Sequence, residues 1–274
     1  MTKTNTPKAI AFIGAGNMAS AIAQGLHAAG GYALSVSDPN AQAIARWQAD
    51  YAATRLPEGR LTGLDAIVLA VKPQQFAAAA AELAGRLDPN TVVVSVMAGV
   101  TIDKISQALG SAQGGHTLVV RTMPNTPARI AQGITALCAA PACSPAHTAL
   151  AGAMMASIGQ TVWLTDESHI DAVTAISGSG PAYVFYIAQA LAEGGAALGL
   201  APETARQLAL ATLQGAAALA AHTGEDLANL REQVTSKGGT TAAALAVFKH
   251  AQLDETLKAA TRAAHARAQV LARG

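Results

Sequence analysis

The segment from Ala9 to Ala29 constrains the fold of this chain more than any other. It joins an apolar, β-prone run, Ala9–Ile13, through a turn of small residues to an apolar helical pattern. The small residues follow the spacing Gly14-x-Gly16-x-x-Ala19, which matches the Gly/Ala form of the dinucleotide-binding fingerprint. Gly14 permits a sharp turn, Gly16 lets a pyrophosphate approach the backbone, and Ala19 allows the helix to pack closely on the strand.

The surroundings of this turn support a nucleotide-binding role. A second β-prone run, Ala33–Ser37, ends at Asp38, about 20 residues after the fingerprint, where an acidic side chain binds the ribose hydroxyls. The helix start also offers unpaired N–H groups and a partial positive charge to phosphates. The residues predicted to contact the dinucleotide here are Gly14, Gly16, Asn17, Met18, Ser37 and Asp38.

Composition narrows the classes of protein that remain. The chain has 274 residues, of which 51% are hydrophobic and 13% charged, and its formal net charge is +1. We therefore expect a large core and no nucleic-acid partner. The polar start Met1–Pro7 lacks a signal-peptide core, and no uncharged apolar run reaches the roughly 18 residues of a membrane helix. Cys138 and Cys143 predict neither a disulfide framework nor a metal site, so we expect a cytoplasmic protein.

The first half of the chain alternates strand and helix patterns. The predicted strands are Ala9–Ile13, Ala33–Ser37, Asp65–Val71, Thr91–Val96 and Leu118–Arg121, with weaker ones at Gly133–Cys138 and Thr161–Leu164. The predicted helices are Ala41–Ala49, Gln75–Leu87, a short one from the cap Thr101 to Leu109, and one near Pro145–Ile158. Uninterrupted apolar strands are typical of a buried parallel sheet, so we predict a doubly wound, Rossmann-like α/β domain.

Ligands of such a sheet bind outside the carboxyl ends of its strands. We therefore expect the loops that follow the predicted strands to converge on one crevice. These loops are Gly14–Met18, Lys72-Pro73, Ala98-Gly99 and Met123–Asn125.

The second half has only helical patterns. We place the domain boundary near Thr165, which gives a dinucleotide-binding domain at 1–164 and an all-helical domain at 165–274. The helices between Pro181 and Ala221 are apolar on most faces, and a domain of this size has too little interior to cover them. We expect this half to bind substrate and to interlock with a second copy of the chain.

Two glycine-containing loops in this half are candidates for ligand contact. One is Ser177–Tyr183, where small residues precede a proline at a helix start. The other contains Gly238-Gly239-Thr240-Thr241, whose backbone N–H groups at a helix start form a natural site for a carboxylate or phosphate. Each also fits a plain helix connection.

Taken together, the motifs resemble the pyrroline-5-carboxylate reductase family over nearly the whole chain, in order. The motifs are Gly14-Ala15-Gly16-Asn17-Met18, Ala70-Val71-Lys72-Pro73, Ala98-Gly99-Val100, Met123-Pro124-Asn125-Thr126-Pro127, Ser177-Gly178-Ser179-Gly180-Pro181-Ala182-Tyr183 and Gly238-Gly239-Thr240-Thr241. The last two are the most specific. The resemblance implies reduction of 1-pyrroline-5-carboxylate to L-proline by NADPH or NADH. It also implies a cytoplasmic homodimer with interwoven helical domains, often assembled into a decamer.

The resemblance also suggests roles for individual residues. The N–H groups of Gly238, Gly239 and Thr240 would hold the substrate carboxylate, and Thr241 would hydrogen-bond the ring nitrogen, with Ser177 also at the substrate. Lys72 and Pro73 would border the nicotinamide, and Ala98 and Asn125 would line the cofactor crevice. No residue is a compelling general acid, so the substrate is expected to arrive protonated.

Asp38 departs from the family pattern. The family often carries Ser, Asn or Arg at this point, which accept the 2′-phosphate of NADPH. A carboxylate repels that phosphate and favours the free 2′-hydroxyl of NADH. If the loop turned Asp38 away, Ser37 and Asn40 would still accept a phosphate, so the sequence leaves both cofactors open.

Two other functions fit part of the sequence. A β-hydroxyacid dehydrogenase or another imine reductase shares this architecture, but a hydroxyacid enzyme needs a lysine in the second domain as acid and base. Lys237 and Lys249 are the only candidates between the domain boundary and Leu253, and Lys237 lies in a loop. A regulatory protein that binds NAD(P) without turnover is the third reading, and an intact second pocket at Gly238–Thr241 weighs against it.

Overall fold

The computed structural model describes residues 6–110 and 115–273, so the first five residues of the polar N-terminal stretch lie outside it. One eight-stranded sheet organises the first half of the chain. Its strands are β1 (Lys8–Ile13), β2 (Tyr32–Ser37), β3 (Thr54–Arg55), β4 (Ala66–Leu69), β5 (Val92–Ser95), β6 (Val119–Met123), β7 (Gly133–Ala139) and β8 (Gly159–Trp163).

Helices connect these strands and make up the rest of the described chain. They are α1 (Asn17–Ala29), α2 (Ala41–Tyr51), α3 (Phe76–Leu83), α4 (Ile102–Leu109), α5 (Pro145–Ala156), α6 (Ile170–Val173), α7 (Gly180–Ala197), α8 (Pro202–Thr223), α9 (Leu227–Gln233), α10 (Thr240–His250) and α11 (Leu253–Arg273). Short 3-10 turns lie at Pro73–Gln75, Thr126–Ile130 and Glu167–His169, and a π-helical turn at Thr174–Gly178.

The strand order is β3-β2-β1-β4-β5-β6-β7-β8. Every neighbouring pair is parallel except β6 with β7. The connection from β6 to β7 contains only the 3-10 turn Thr126–Ile130, which is too short for the crossover that parallel strands require. The winding direction reverses between β1 and β4, as in doubly wound sheets. The predicted fold class is confirmed.

Two hydrophobic layers cover the faces of the sheet. On one face, α1, α2 and α5 pack on the sheet around Phe12 and Trp47, whose rings meet edge to face at 5.0 Å between centroids. The other face contacts α3 and α4 through residues such as Ile67 and Ile105. Strand β4 is buried along its whole length, which explains its continuous apolar sequence.

Most predicted bounds differ from the structure by a few residues, and two differences are larger. The short edge strand β3 was not predicted, because Thr54 and Arg55 are both exposed and give no apolar signal. The helix predicted for Gln75–Leu87 ends at Leu83 as α3, because Gly85 adopts a left-handed conformation with φ +74°.

The chain divides into two compact units, which we describe separately. The sheet unit comprises described residues up to Ser179 together with 264–273, and the helical unit spans Gly180–Ala263. Residues 165–179 thus pack with the sheet, although their sequence pattern is already helical. The domain boundary near Thr165 stays a prediction.

The helical unit buries very little of its own surface. The residues of this unit that are buried are Ala188, Ala205 and Ala209. By contrast, Tyr186 is 75% exposed and Leu198 is 88% exposed. Its helices α7 and α8 pack closely, with Gly195 against the Cβ of Ala205.

No helix in the described part of the chain has the length and hydropathy to cross a membrane.

His116 gives the sheet unit a testable pH dependence. Its Nε2 lies 2.7 Å from the carbonyl oxygen of Thr91, and burial lowers the pKa of the imidazole below 6.5. The unfolded chain then binds more protons at acidic pH, so the stability contribution is complete above about pH 6.5 and falls at lower pH. We expect His116→Gln, which keeps a donor for Thr91, to reduce the loss of stability between pH 7 and pH 5.5. Urea denaturation at several pH values measures this, and equal slopes for both proteins would contradict it.

Candidate functional site

The loops predicted to form one crevice follow neighbouring parallel strands. Strands β1, β4, β5 and β6 lie side by side in the same direction. Their carboxyl ends lead into Gly14–Met18, Ala70–Pro73, Met97–Gly99 and Pro124-Asn125. All of these loops therefore emerge at one edge of the sheet, where doubly wound proteins bind their ligands.

The turn after β1 is held against the loop after β4. Gly14 is buried and has φ +95°, and a Cβ at this residue would lie 2.8 Å from the carbonyl oxygen of Ala70. Its N–H donates to the carbonyl of Ser37 at 2.8 Å. Gly14 is thus required by both conformation and space, and it fixes the path of the backbone into α1.

Neither backbone conformation nor lack of space within the protein requires a glycine at Gly16. Its φ is −73°, which any residue adopts, and a Cβ added to it would meet no protein atom within 4 Å. As the N-cap of α1 it offers no side-chain acceptor, whereas Asn40 caps α2 and Thr101 caps α4. The start of α1 therefore has open space and free N–H groups, which fits a bound pyrophosphate.

Asp38 points toward this glycine-rich turn. Its Oδ2 accepts a hydrogen bond from the N–H of Ala15 and its Oδ1 from the N–H of Asn40, both at 2.8 Å. Asn40 in turn caps α2 with its side chain. The carboxylate is thus turned toward the Gly14–Gly16 turn rather than away from it, and Ser37 is half-buried beside it.

The remaining predicted cofactor residues lie on the same edge. Asn17, Lys72 and Pro73 are exposed, whereas Met18 and Ala98 are half-buried. Gly99, with φ +74°, lies against the backbone of Leu271, and the Lys104 Nζ donates to the Ala272 carbonyl at 2.7 Å. The end of α11 thus packs on the loop that contains Ala98.

Asn125 is buried and both ends of its amide are engaged. Its Nδ2 donates to the carbonyl oxygen of Ser177 at 3.2 Å, and its Oδ1 accepts from the N–H of Ile134 at 3.0 Å. The sequence predicted a cofactor contact for Asn125. The structure shows that its amide joins the β6 loop to the Ser177 segment, and the cofactor contact stays a prediction.

The segment that contains Ser177 has an unusual backbone. The N–H of Ser179 donates to the carbonyl of Thr174 at 2.8 Å, which closes a π-helical turn. The hydroxyls of Thr174 and Ser177 donate to carbonyls four residues earlier, a pattern that bends helices. A Cβ at Gly178 would lie 2.8 Å from the Met123 side chain, so this turn packs tightly on the end of β6. Such π turns are frequent at functional sites.

The second predicted ligand loop lies in the helical unit. Gly238 has φ +73°, and Gly239 is the N-cap of α10 without a side-chain acceptor. The N–H of Gly239 donates to the carbonyl of Ser236 at 3.0 Å, so this donor is already used within the loop. The first turn of α10 still presents the N–H groups of Thr240 and Thr241, because helix starts lack intrahelical acceptors. Thr241 is half-buried.

Sequence reasoning missed one set of charged residues near the crevice. Arg121 lies within buried strand β6 and is paired with Glu167 and Asp171. The available signal was an arginine next to the apolar run Leu118–Val120, because a buried guanidinium requires a partner. Burial, with the carboxylates of Glu167 and Asp166 nearby, raises the pKa of the neighbouring Cys138 thiol, which favours the neutral, unreactive form.

The described residues contain no cluster of three or more potential metal ligands.

The doubly wound sheet and the open glycine at the start of α1 define a dinucleotide-binding protein of the Rossmann class. Residues 9–99 match the family model described as NADP oxidoreductase, coenzyme F420-dependent. Residues 167–271 match the model for pyrroline-5-carboxylate reductase dimerisation.

Relatives and solved structures extend this likeness over the whole chain. Pyrroline-5-carboxylate reductase of Pseudomonas aeruginosa is 41% identical over 98% of both chains. The solved structure of a pyrroline-5-carboxylate reductase from Coxiella burnetii superposes with a TM-score of 0.86 at 36% identity, covering 97% of this chain and 99% of that one. The Plasmodium falciparum pyrroline carboxylate reductase with NADP bound gives 0.83 at 25% identity, covering 98% and 99%. The chain belongs to the pyrroline-5-carboxylate reductase family.

The two glycines of the turn differ in a way that can be tested. We expect Gly14→Ala to destabilise the protein by about 2 kcal/mol or more, since it combines a strained φ with overpacking against Ala70. We expect Gly16→Ala to change stability by less than about 1 kcal/mol, yet to weaken NADH and NADPH binding about tenfold because its methyl group enters the pyrophosphate space. Denaturation and fluorescence titration with each cofactor measure both effects. Unchanged cofactor affinity in the stable Gly16→Ala protein would refute this placement of the pyrophosphate.

Proposed function

We propose that this protein reduces 1-pyrroline-5-carboxylate to L-proline with NADPH or NADH. The observation that carries the proposal is the pair of uncapped glycine helix starts, Gly16 before α1 and Gly239 before α10, in a chain of this family. One suits the phosphates of a dinucleotide, and the other suits a small carboxylate. The names of its relatives over nearly full length support the same reaction.

In this reaction the protein binds and orients rather than supplying a nucleophile. A reduced nicotinamide, when bound, supplies the hydride to the imine carbon. The turn at Gly14 and Gly16 and the loops at Lys72, Pro73 and Ala98 would hold the dinucleotide along the carboxyl edge of the sheet. Ser37 and Asp38 would border its ribose, with Asn17 and Met18 at the start of α1.

The loop before α10 is proposed to recognise the substrate. The N–H groups of Gly238 and Thr240 would bind the carboxylate, with the helix dipole adding a favourable charge interaction. Gly239 would act mainly through its lack of a side chain, since its N–H already donates to the carbonyl of Ser236. The Thr241 hydroxyl would bind the ring nitrogen, which carries a proton in the iminium form and ends as the amine of proline. Ser177 is proposed as a further substrate contact.

We also propose a homodimer formed through the helical unit. Phe185 and Tyr186 on α7 are 64% and 75% exposed, and Leu198 is 88% exposed. Apolar side chains exposed in such density mark an association surface. Assembly of dimers into a decamer and a cytoplasmic location stay predictions from the family resemblance.

Thr241 provides the test of substrate recognition. We expect purified protein to oxidise NADH or NADPH only when 1-pyrroline-5-carboxylate is present. Thr241→Val should lower kcat/KM for this substrate about tenfold to a hundredfold, since a hydrogen bond to a charged group contributes about 1.5–3 kcal/mol. Thr241→Ser should retain most of the activity because it keeps the hydroxyl.

The matched control is Thr256→Val, because the Thr256 hydroxyl donates to the carbonyl of Gln252, the residue before α11. Its loss should leave kcat/KM near wild type. Turnover with a β-hydroxyacid and not with the pyrroline would replace the proposal with the hydroxyacid reading. That reading is disfavoured because Lys237 lies in the loop between α9 and α10 rather than on a helix face. Cofactor binding without any turnover would support a regulatory role.

Asp38 provides the test of cofactor preference. Its carboxylate lies at the turn rather than away from it, so we expect a higher kcat/KM with NADH than with NADPH. Asp38→Ser should shift the ratio of the two values toward NADPH by about tenfold or more. The ratio of the two kcat/KM values reports on contacts to the 2′ position alone. Loss of the hydrogen bond between Asp38 and Ala15 disturbs the turn equally for both cofactors and cancels in the ratio. An unchanged ratio would contradict the assignment of Asp38 to the ribose.

A further inference from the structure

Arg121 forms a buried ion cluster below the crevice. It lies in β6, and its side chain is 3% exposed. Its Nη1 lies 2.8 Å from Oε1 of Glu167, and its Nη2 lies 3.6 Å from Oδ1 of Asp171. Within the described chain, Nε and Nη2 have no hydrogen-bond partner.

Glu167 connects this arginine to a second loop of the crevice. The same Oε1 that accepts from Arg121 also accepts from the N–H of Ile102 at 2.8 Å. Ile102 is the first residue of α4, which directly follows the loop containing Ala98 and Gly99. One carboxylate oxygen thus joins β6 to the start of α4.

The cluster also holds a third segment. Glu167 and Asp171 belong to the 3-10 turn Glu167–His169 and to α6, which run into the π turn ending at Gly178. The loop after β6 holds this segment again, because the Asn125 amide donates to the Ser177 carbonyl. Strand β6 and its loop therefore fix the segment at two separated points.

Burying this ion cluster is energetically unfavourable. A buried arginine with unpaired donors is less favourable than a well-packed apolar side chain of similar size. Departures from good packing rules are expected where a site demands a defined geometry. The arginine joins three elements that border one edge of the sheet, which a methionine at this point would not do.

We propose that Arg121 is a positioning residue that, through Glu167, sets the loops at Ala98 and Asn125 for dinucleotide binding. The inference rests on the proposed function only for the identity of the cofactor. Arg121 itself touches no ligand in this proposal. It acts by holding the start of α4 and the Ser177 segment in register with β6.

The test compares Arg121→Met and Arg121→Lys with wild type. We expect Arg121→Met to raise the dissociation constants of NADH and NADPH about tenfold, with a parallel rise in cofactor KM and a smaller change in kcat. Arg121→Lys should recover part of the affinity, because an ammonium still pairs with Glu167 but lacks the planar fork. Fluorescence titration gives the dissociation constants without substrate, and thermal melting is recorded for each protein.

Arg86→Met is the matched control. Arg86 also ties loops together, since it donates to the carbonyls of Gly59, Glu82 and Pro57 at 2.6, 3.1 and 2.9 Å. These contacts lie before β4 and at the end of α3, away from the loops at the carboxyl edge. We expect Arg86→Met to lower the melting temperature while changing cofactor affinity less than about twofold.

The outcomes separate positioning from a purely structural role. A tenfold loss of affinity in Arg121→Met beside little change in Arg86→Met supports the proposal. A lower melting temperature with cofactor affinity within twofold of wild type overturns it.

If Arg121→Met does not fold, Glu167→Gln decides, because it keeps an acceptor for Ile102 and removes the charge. Unchanged cofactor affinity in Glu167→Gln also overturns the proposal. A wild-type protein that binds cofactor but does not reduce the pyrroline would refute the proposed function while leaving this comparison valid.

Discussion

The parallel pairing of β1 with β2 on one side and β4 on the other is the constraint on which the rest of the structure depends. It places the winding reversal between β1 and β4, so the loops after these strands diverge and leave a crevice. Because β5 and β6 continue in the same direction, their loops reach the same edge. A reversed strand at any of these positions would move its loop to the opposite edge and remove it from the site.

The protein uses the same physical device twice, in unrelated surroundings. A glycine at a helix N-cap leaves the first-turn N–H groups without a side-chain acceptor, both at Gly16 and at Gly239. Other helices have such an acceptor at Asn40, Ser144 and Asp226, whereas α3 and α8 begin without one but at residues that carry a Cβ. The absence of a capping oxygen is locally unfavourable, and an anion bound at the helix start would offset it.

The sequence was sufficient for features that depend on local pattern. Continuous apolar runs identified β4 and β5, and the glycine spacing identified the turn after β1, because each reflects burial or backbone conformation at its own position. Features that depend on tertiary register were missed. Residues 46 positions apart pair as Arg121 and Glu167, and no local pattern predicts this. The amide of Asn125 likewise bonds to Ser177, 52 residues away, so its structural role emerged only from the fold.

The small interior of the helical unit has a consequence for folding. Its buried residues are three alanines, Ala188, Ala205 and Ala209, which contribute little hydrophobic free energy. In the proposed dimer, most of the apolar burial for this unit therefore comes from the partner subunit. Association then acts by mass action, so the stability of α7 to α10 rises with protein concentration and falls on dilution. The amount of protein that a cell makes becomes part of what keeps these helices folded.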